Sequence, residues 1–145
     1  MKAEKRAQDG ISPLTKMYVL DTDVIVDFLR DEKIIKKLIY DLYAKKLYTT
    51  FITMSELYFG AYNSKYKTAH FEEINFLEGL VDILYPDLIA CKLFGRIKKQ
   101  LRDTGKIIGD FDVMIAAVTI ANNFTLITRN LKHYENIEGL KTTHL

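Results

Sequence analysis

The chain has 145 residues, 48% of them hydrophobic, which suits one compact core and implies no second domain. Its formal net charge of +2 comes entirely from the first sixteen residues, where Lys2, Lys5, Arg6 and Lys16 face Glu4 and Asp9; the remainder is balanced, so bulk charge is no argument for a nucleic-acid partner. Cys91 is the single cysteine, which excludes an intramolecular disulfide and a thiolate zinc cluster, and no apolar run approaches the ~18 to 20 residues that span a bilayer. With no apolar segment behind the early lysines either, the chain reads as soluble and cytoplasmic, without a membrane partner.

Residues 1–16 are polar, contain Gly10 and Pro13 and lack a 2 or 3.6 period, which predicts a loose N-terminal extension. Met17 directly precedes the first strand and is an alternative start of the functional chain. Tyr18 to Leu20 is a short apolar run of the kind that fills a central parallel strand, ended by Asp21. A helix is expected over residues 23–30, and a second from about Asp31 to Lys46 aligns Ile34, Ile35, Leu38, Ile39 and Leu42. Leu47 to Ile52, rich in Thr, Tyr, Phe and Ile, predicts a strand, and Thr53 then reads as the N-cap of a helix running toward Tyr62.

An amphipathic helix follows from about Lys67 to Glu78, then a strand over Val81 to Leu84. Pro86 suits the opening of a helix that runs to Gly105, and Gly109-Asp110 introduces another, Asp112 to Ala121, whose apolar faces are broad enough to be largely buried. Thr125 to Thr128 and Lys141 to Thr143 complete a sheet of about five strands. Such alternation predicts a three-layer α/β/α sandwich with a mostly parallel sheet.

In that architecture ligands sit beyond the carboxyl ends of the strands. Asp21 and Asn130 follow strands directly, and the helices bearing Glu56 and Asp112 begin just after the same edge, so four oxygen-bearing groups are expected to converge. Clustered carboxylates repel one another and call for a cation; an all-oxygen set suits Mg2+ or Mn2+. Each position also has a structural explanation. Glu56 completes a Thr53-x-x-Glu56 capping box, Asp110 is a natural N-cap, and Asp112 complements a helix dipole. Asp23 is either a secondary ligand or a first-turn residue, Asp27 reads as a solvated helix residue, and Thr22 as a cap. Thr128 and Asn130 suit a turn.

Taken together, Val-Leu-Asp21-Thr-Asp23, Ser-Glu56-Leu, Ile-Gly109-Asp110-Phe-Asp112-Val-Met-Ile-Ala-Ala and Leu-Ile-Thr128-Arg-Asn130 resemble the PIN domain, and specifically the VapC toxins of type II toxin-antitoxin systems. The resemblance assigns residues 17–145 to that domain. It implies an endoribonuclease dependent on Mg2+ or Mn2+, with Asp21, Glu56 and Asp112 as the core acids, Asp110 at a variable acidic position, Asn130 where many members carry a fourth acid, and Thr22 and Thr128 as accessory hydroxyls. It also implies a homodimer and a VapB-like antitoxin that occludes the acidic pocket, often with an arginine.

RNA contact is expected from local basic groups: Arg129 beside the site, and Arg96, Lys99, Arg102 and Lys106, which recur at helical spacing before the Asp112 motif. Tyr58, Phe59 and Tyr62 suit base stacking, an antitoxin groove or core packing, while His70, His133 and His144 read as surface or core-edge residues. Two other functions stay open. Leu20-Asp21-Thr22-Asp23 resembles the opening motif of haloacid-dehalogenase-like phosphatases, with Asp21 as nucleophile, although Lys106 lies in a loop rather than on a helix. A non-catalytic PIN-like binding module is the alternative that Asn130 keeps alive.

Overall fold

A computed structural model of the chain describes residues 16–30, 33–43 and 45–144. The extension expected over residues 1–16 lies outside them except for Lys16, as does the Asp31 start of the second helix. Among the described residues, five strands, β1 (Tyr18–Leu20), β2 (Leu47–Thr50), β3 (Asp82–Leu84), β4 (Thr125–Ile127) and β5 (Lys141–Thr143), alternate with helices. These are α1 (Thr22–Leu29), α2 (Lys33–Tyr43), α3 (Phe51–Tyr62), α4 (Lys67–Glu78), α5 (Leu88–Asp103), α6 (Asp110–Ala121) and α7 (Leu131–Tyr134).

The sheet order is β3-β2-β1-β4-β5, and every neighbouring pair is parallel. The chain builds outward from β1 to β3, then crosses back to lay β4 on the other side of β1. That reversal opens the crevice between the carboxyl ends of β1 and β4. Successive strand residues point to opposite faces, so Val19 and Leu126 join one core while Leu20 and Ile127 join the other. All four are buried, as a strand covered on both faces requires.

The first core is completed by α5 and α6 through Ile97, Leu101, Val113 and Ile115, the second by α1, α2 and α4 through Val24, Phe28, Ile39 and Ile74. Helix α3 contributes Ile52 to one and Met54 and Ala61 to the other, so it spans the sheet edge. Val113 and Ile115 through Thr119 are all buried. At roughly 1.5–3 kcal/mol for each large aliphatic group, α6 is anchored firmly enough to hold Asp112 still at its first turn.

One boundary moves the chemistry. Phe51 and Ile52 have strand propensity, yet β2 stops at Thr50 and α3 starts at Phe51. Thr50 Oγ1 accepts the Thr53 N–H at 3.2 Å and so caps the helix. Thr53 is therefore inside the helix, no Thr53–Glu56 capping box exists, and Glu56 is left for another task. Likewise Gly109 occupies the N-cap of α6 without a side-chain bond, and Asp110 is the first helical residue rather than the cap. Thr22 does not cap α1 either: Asp21 does, through its bond from the Thr22 N–H. Thr50→Ala is expected to lower the unfolding free energy by about 1 kcal/mol, read as a lower urea midpoint; unchanged stability would remove Thr50 as the cap.

Candidate active site

Asp21 is the hub. Its N–H continues the β1–β4 ladder by donating to the Ile127 carbonyl at 2.9 Å, which fixes the residue at the sheet edge. Oδ1 accepts the Thr22 N–H at 2.9 Å, and Oδ2 accepts the Thr128 hydroxyl at 2.8 Å. The residue is only 6% exposed. Burial, reinforced by the negative charge of Asp23, pushes its carboxyl up to about 6 despite these donors.

Asp23 continues the cluster on the first turn of α1. Its Oδ2 accepts the Arg129 N–H at 3.1 Å and faces the Thr128 hydroxyl at 3.4 Å. Oδ1 is buried and lacks a hydrogen-bond partner among the described residues. Burial raises this carboxyl too. Such an oxygen is costly to leave unmatched.

Glu56 enters from α3. Its Oε1 accepts the Thr22 hydroxyl at 3.0 Å, and that hydroxyl also lies 3.0 Å from Thr53 Oγ1. Burial raises its pKa, and the charge of Asp112 adds to the effect. Asp112 completes the group from the first turn of α6, with Oδ2 2.7 Å from His133 Nε2 and Oδ1 accepting the Tyr134 hydroxyl at 3.3 Å. Burial, together with the charges of Asp21 and Asp112, pushes the hydroxyl of that tyrosine far above the ordinary range.

Asp21, Asp23, Glu56 and Asp112 are thus coupled through Thr22, Thr128 and Tyr134. The donor chemistry fits a hard divalent cation: every acid supplies oxygen, burial penalises the charge of Asp21, Asp23 and Glu56, and one buried oxygen of Asp23 is unmatched. Among the described residues no three carboxylate, imidazole or thiolate groups are close enough together to hold a metal as they stand, so ligation requires side-chain adjustment.

The other candidates sit apart. Asp110 is mostly exposed and pairs with Lys98 at 2.9 Å. Asn130 is exposed at the start of α7, where its side chain makes no capping bond. Arg129 is tied to Asp27, whose side chain is only 15% exposed, so Asp27 is an anchoring residue rather than a solvated one. Arg96, Lys99, Arg102 and Lys106 are exposed, with Lys99 paired to Asp103. Tyr58, Phe59 and Tyr62 are exposed as well, which sets core packing aside. Tyr58 and Tyr62 pack on Phe71, and a groove of about 420 Å³ beside Glu56 is lined by other residues of α1, α3 and α4, among them Val26, Leu29, Leu57, His70 and Ile74.

His133 lies half-buried at the core edge, as the sequence reading has it, and from there it also bonds Asp112; neither that bond nor the roles of Tyr134 and Lys98 are foreseen in the sequence. The available signal was position: Leu131-Lys132-His133-Tyr134 follows a strand's carboxyl edge within one turn.

A parallel sheet that gathers carboxylates and hydroxyls at its switch point defines an α/β protein with an oxygen-donor site in the crevice. Residues 18–138 match the PIN domain. Ribonuclease VapC1 of Haemophilus influenzae is 32% identical over 127 residues, 86% of this chain and 95% of the relative. The structure of VapBC-1 from nontypeable Haemophilus influenzae aligns with TM-score 0.80 at 29% identity, over 88% of this chain and 97% of that one. VapBC2 from Rickettsia felis, solved bound to a DNA fragment from its promoter, aligns with TM-score 0.85 at 24% identity over 89% and 98%. The chain belongs to the PIN-domain family, in its VapC ribonuclease group. That membership decides against the haloacid-dehalogenase-like reading, and Lys106 indeed lies in the loop before α6.

A raised carboxyl binds more protons folded than unfolded, so it destabilises the fold progressively as pH climbs from about 4 through about 6. Without added divalent cation, Asp21 should cost roughly 3 kcal/mol above that window. Asp21→Asn keeps a good N-cap residue and should therefore be the more stable protein at pH 8, with the advantage vanishing near pH 4 in chemical denaturation. A constant difference across pH would contradict the assignment.

Proposed function

We propose that this chain is an endoribonuclease of the VapC type, the toxin of a VapBC-type toxin-antitoxin pair, which hydrolyses RNA phosphodiester bonds with Mg2+ or Mn2+. The observation that carries this reading is the convergence of Asp21, Glu56 and Asp112 at the β1–β4 crevice of a PIN fold, each acid coupled to the next. Asp21 and Asp112 would hold the cation, with Asp23 as a further oxygen donor. When bound, the ion neutralises carboxylate and phosphate charge and makes water a better nucleophile.

Thr22 holds one oxygen of Glu56, so the other accepts a proton from the attacking water and orients it for in-line displacement at phosphorus. No side chain becomes covalently attached to substrate. Arg129, together with Arg96, Lys99, Arg102 and Lys106, supplies positive charge for the RNA backbone. A VapB-like antitoxin occupies the groove beside Glu56, lined by Val26, Leu29, Leu57 and Ile74, and sets a basic side chain against the acids. The protein acts in the cytoplasm as a homodimer. No helix among the described residues is long and apolar enough to cross a membrane.

Purified, antitoxin-free protein incubated with total RNA is expected to yield discrete fragments with Mg2+ or Mn2+, none with a chelator, and none with Asp112→Asn. Glu56→Gln should slow cleavage by roughly a hundredfold or more. Retained RNA binding without any cleavage, in a folded protein that binds Mn2+, would favour the non-catalytic module. In cells, expression without antitoxin should arrest growth, and Asp112→Asn should not.

A further inference from the structure

One short helix holds both oxygens of Asp112. His133 Nε2 lies 2.7 Å from Oδ2, whereas the Tyr134 hydroxyl reaches Oδ1 at 3.3 Å. The first is a short, charge-assisted bond and the second a long one. An ionised carboxylate only accepts, so Nε2 carries the proton. The imidazole is itself held: its ring stands edge-on to Tyr134 at 5.4 Å between centroids, and the His133 N–H donates to the Asn130 carbonyl at 3.1 Å. Oδ1 is thus the more loosely held oxygen, and its tyrosine partner also feels the charge of Asp21.

We propose that His133 is a positioning residue for Asp112: by fixing Oδ2 it leaves Oδ1 as the oxygen that ligates the cation. This rests on the divalent-cation reading given above. Carboxylate ligands held by such outer hydrogen bonds lose tenfold to a hundredfold in metal affinity when the partner is removed. Helix α7 then serves the site directly, carrying the imidazole that sets the angle of an acid borne on α6.

The test is Mn2+ titration of the full chain by calorimetry, without RNA, for wild type, His133→Phe and His133→Gln. Phe keeps a ring without a donor, and Gln restores an N–H. His133→Phe is expected to bind Mn2+ about ten to a hundred times more weakly, with His133→Gln recovering much of the loss. In RNA cleavage the Mn2+ concentration for half-maximal rate should rise by the same factor, while KM for RNA and kcat at saturating Mn2+ stay near wild type. Equal or tighter Mn2+ binding by His133→Phe overturns the proposal, the tighter case meaning that the imidazole competes with the ion. If His133→Phe loses its cooperative unfolding transition, His133→Asn, too short to reach Oδ2, takes its place with the same expected loss. Wild-type protein that binds no Mn2+ overturns the cation reading itself, and the inference falls with it.

Discussion

A carboxylate almost wholly removed from water, at the point where a parallel sheet reverses its order, governs the rest of this molecule. Asp21 occupies that point because its backbone is part of the β1–β4 ladder, while its side chain is gripped from both sides by Thr22 and Thr128. Desolvation makes its charge costly, and Asp23 adds to the cost. A fold that tolerates this has spent stability on a site, the usual reason for a local breach of good packing rules.

The geometry is supplied by elements with little else in common. β1 is a buried central strand, α3 spans the sheet edge, α6 is buried nearly all round, and α7 is a single turn. The first three each deliver an acid to the crevice and α7 delivers two hydrogen-bond partners, His133 and Tyr134, and hydroxyls join them. Thr22 links α1 to Glu56 on α3, while Thr128 links β4 to Asp21 and Asp23. Local substitutions in any of these elements are therefore felt by acids far away in sequence.

The layers, the strand positions and the principal acids were legible in the sequence because they rest on periodicity and on motifs at strand ends. The helix from Lys67 to Glu78 and the edge strand from Lys141 to Thr143 come directly from pattern. Thr50 was missed as a cap because Phe51 and Ile52 look like strand, and only the hydroxyl bond to Thr53 shows where the turn tightens. His133 and Tyr134 were illegible for a different reason. Their roles depend on a contact across about twenty residues, made between two helices whose relative placement no local pattern encodes. Lys98 was passed over in favour of Arg96, Lys99 and Arg102 on the same helix and Lys106 in the loop beyond it, yet Lys98 is the one that pairs with Asp110.

The tie between the beginning and the end of the domain has a consequence for synthesis. Asp21, Asp23 and Asp27 find their partners in Thr128 and Arg129, more than one hundred residues later in the chain. Contacts of such separation carry a large loop-closure entropy and raise the contact order of the fold. On a ribosome the acids emerge long before the hydroxyl, the backbone N–H groups and α7 that organise them. The crevice is therefore assembled only when nearly the whole domain has been made, and a truncated nascent chain carries the acids without their arrangement.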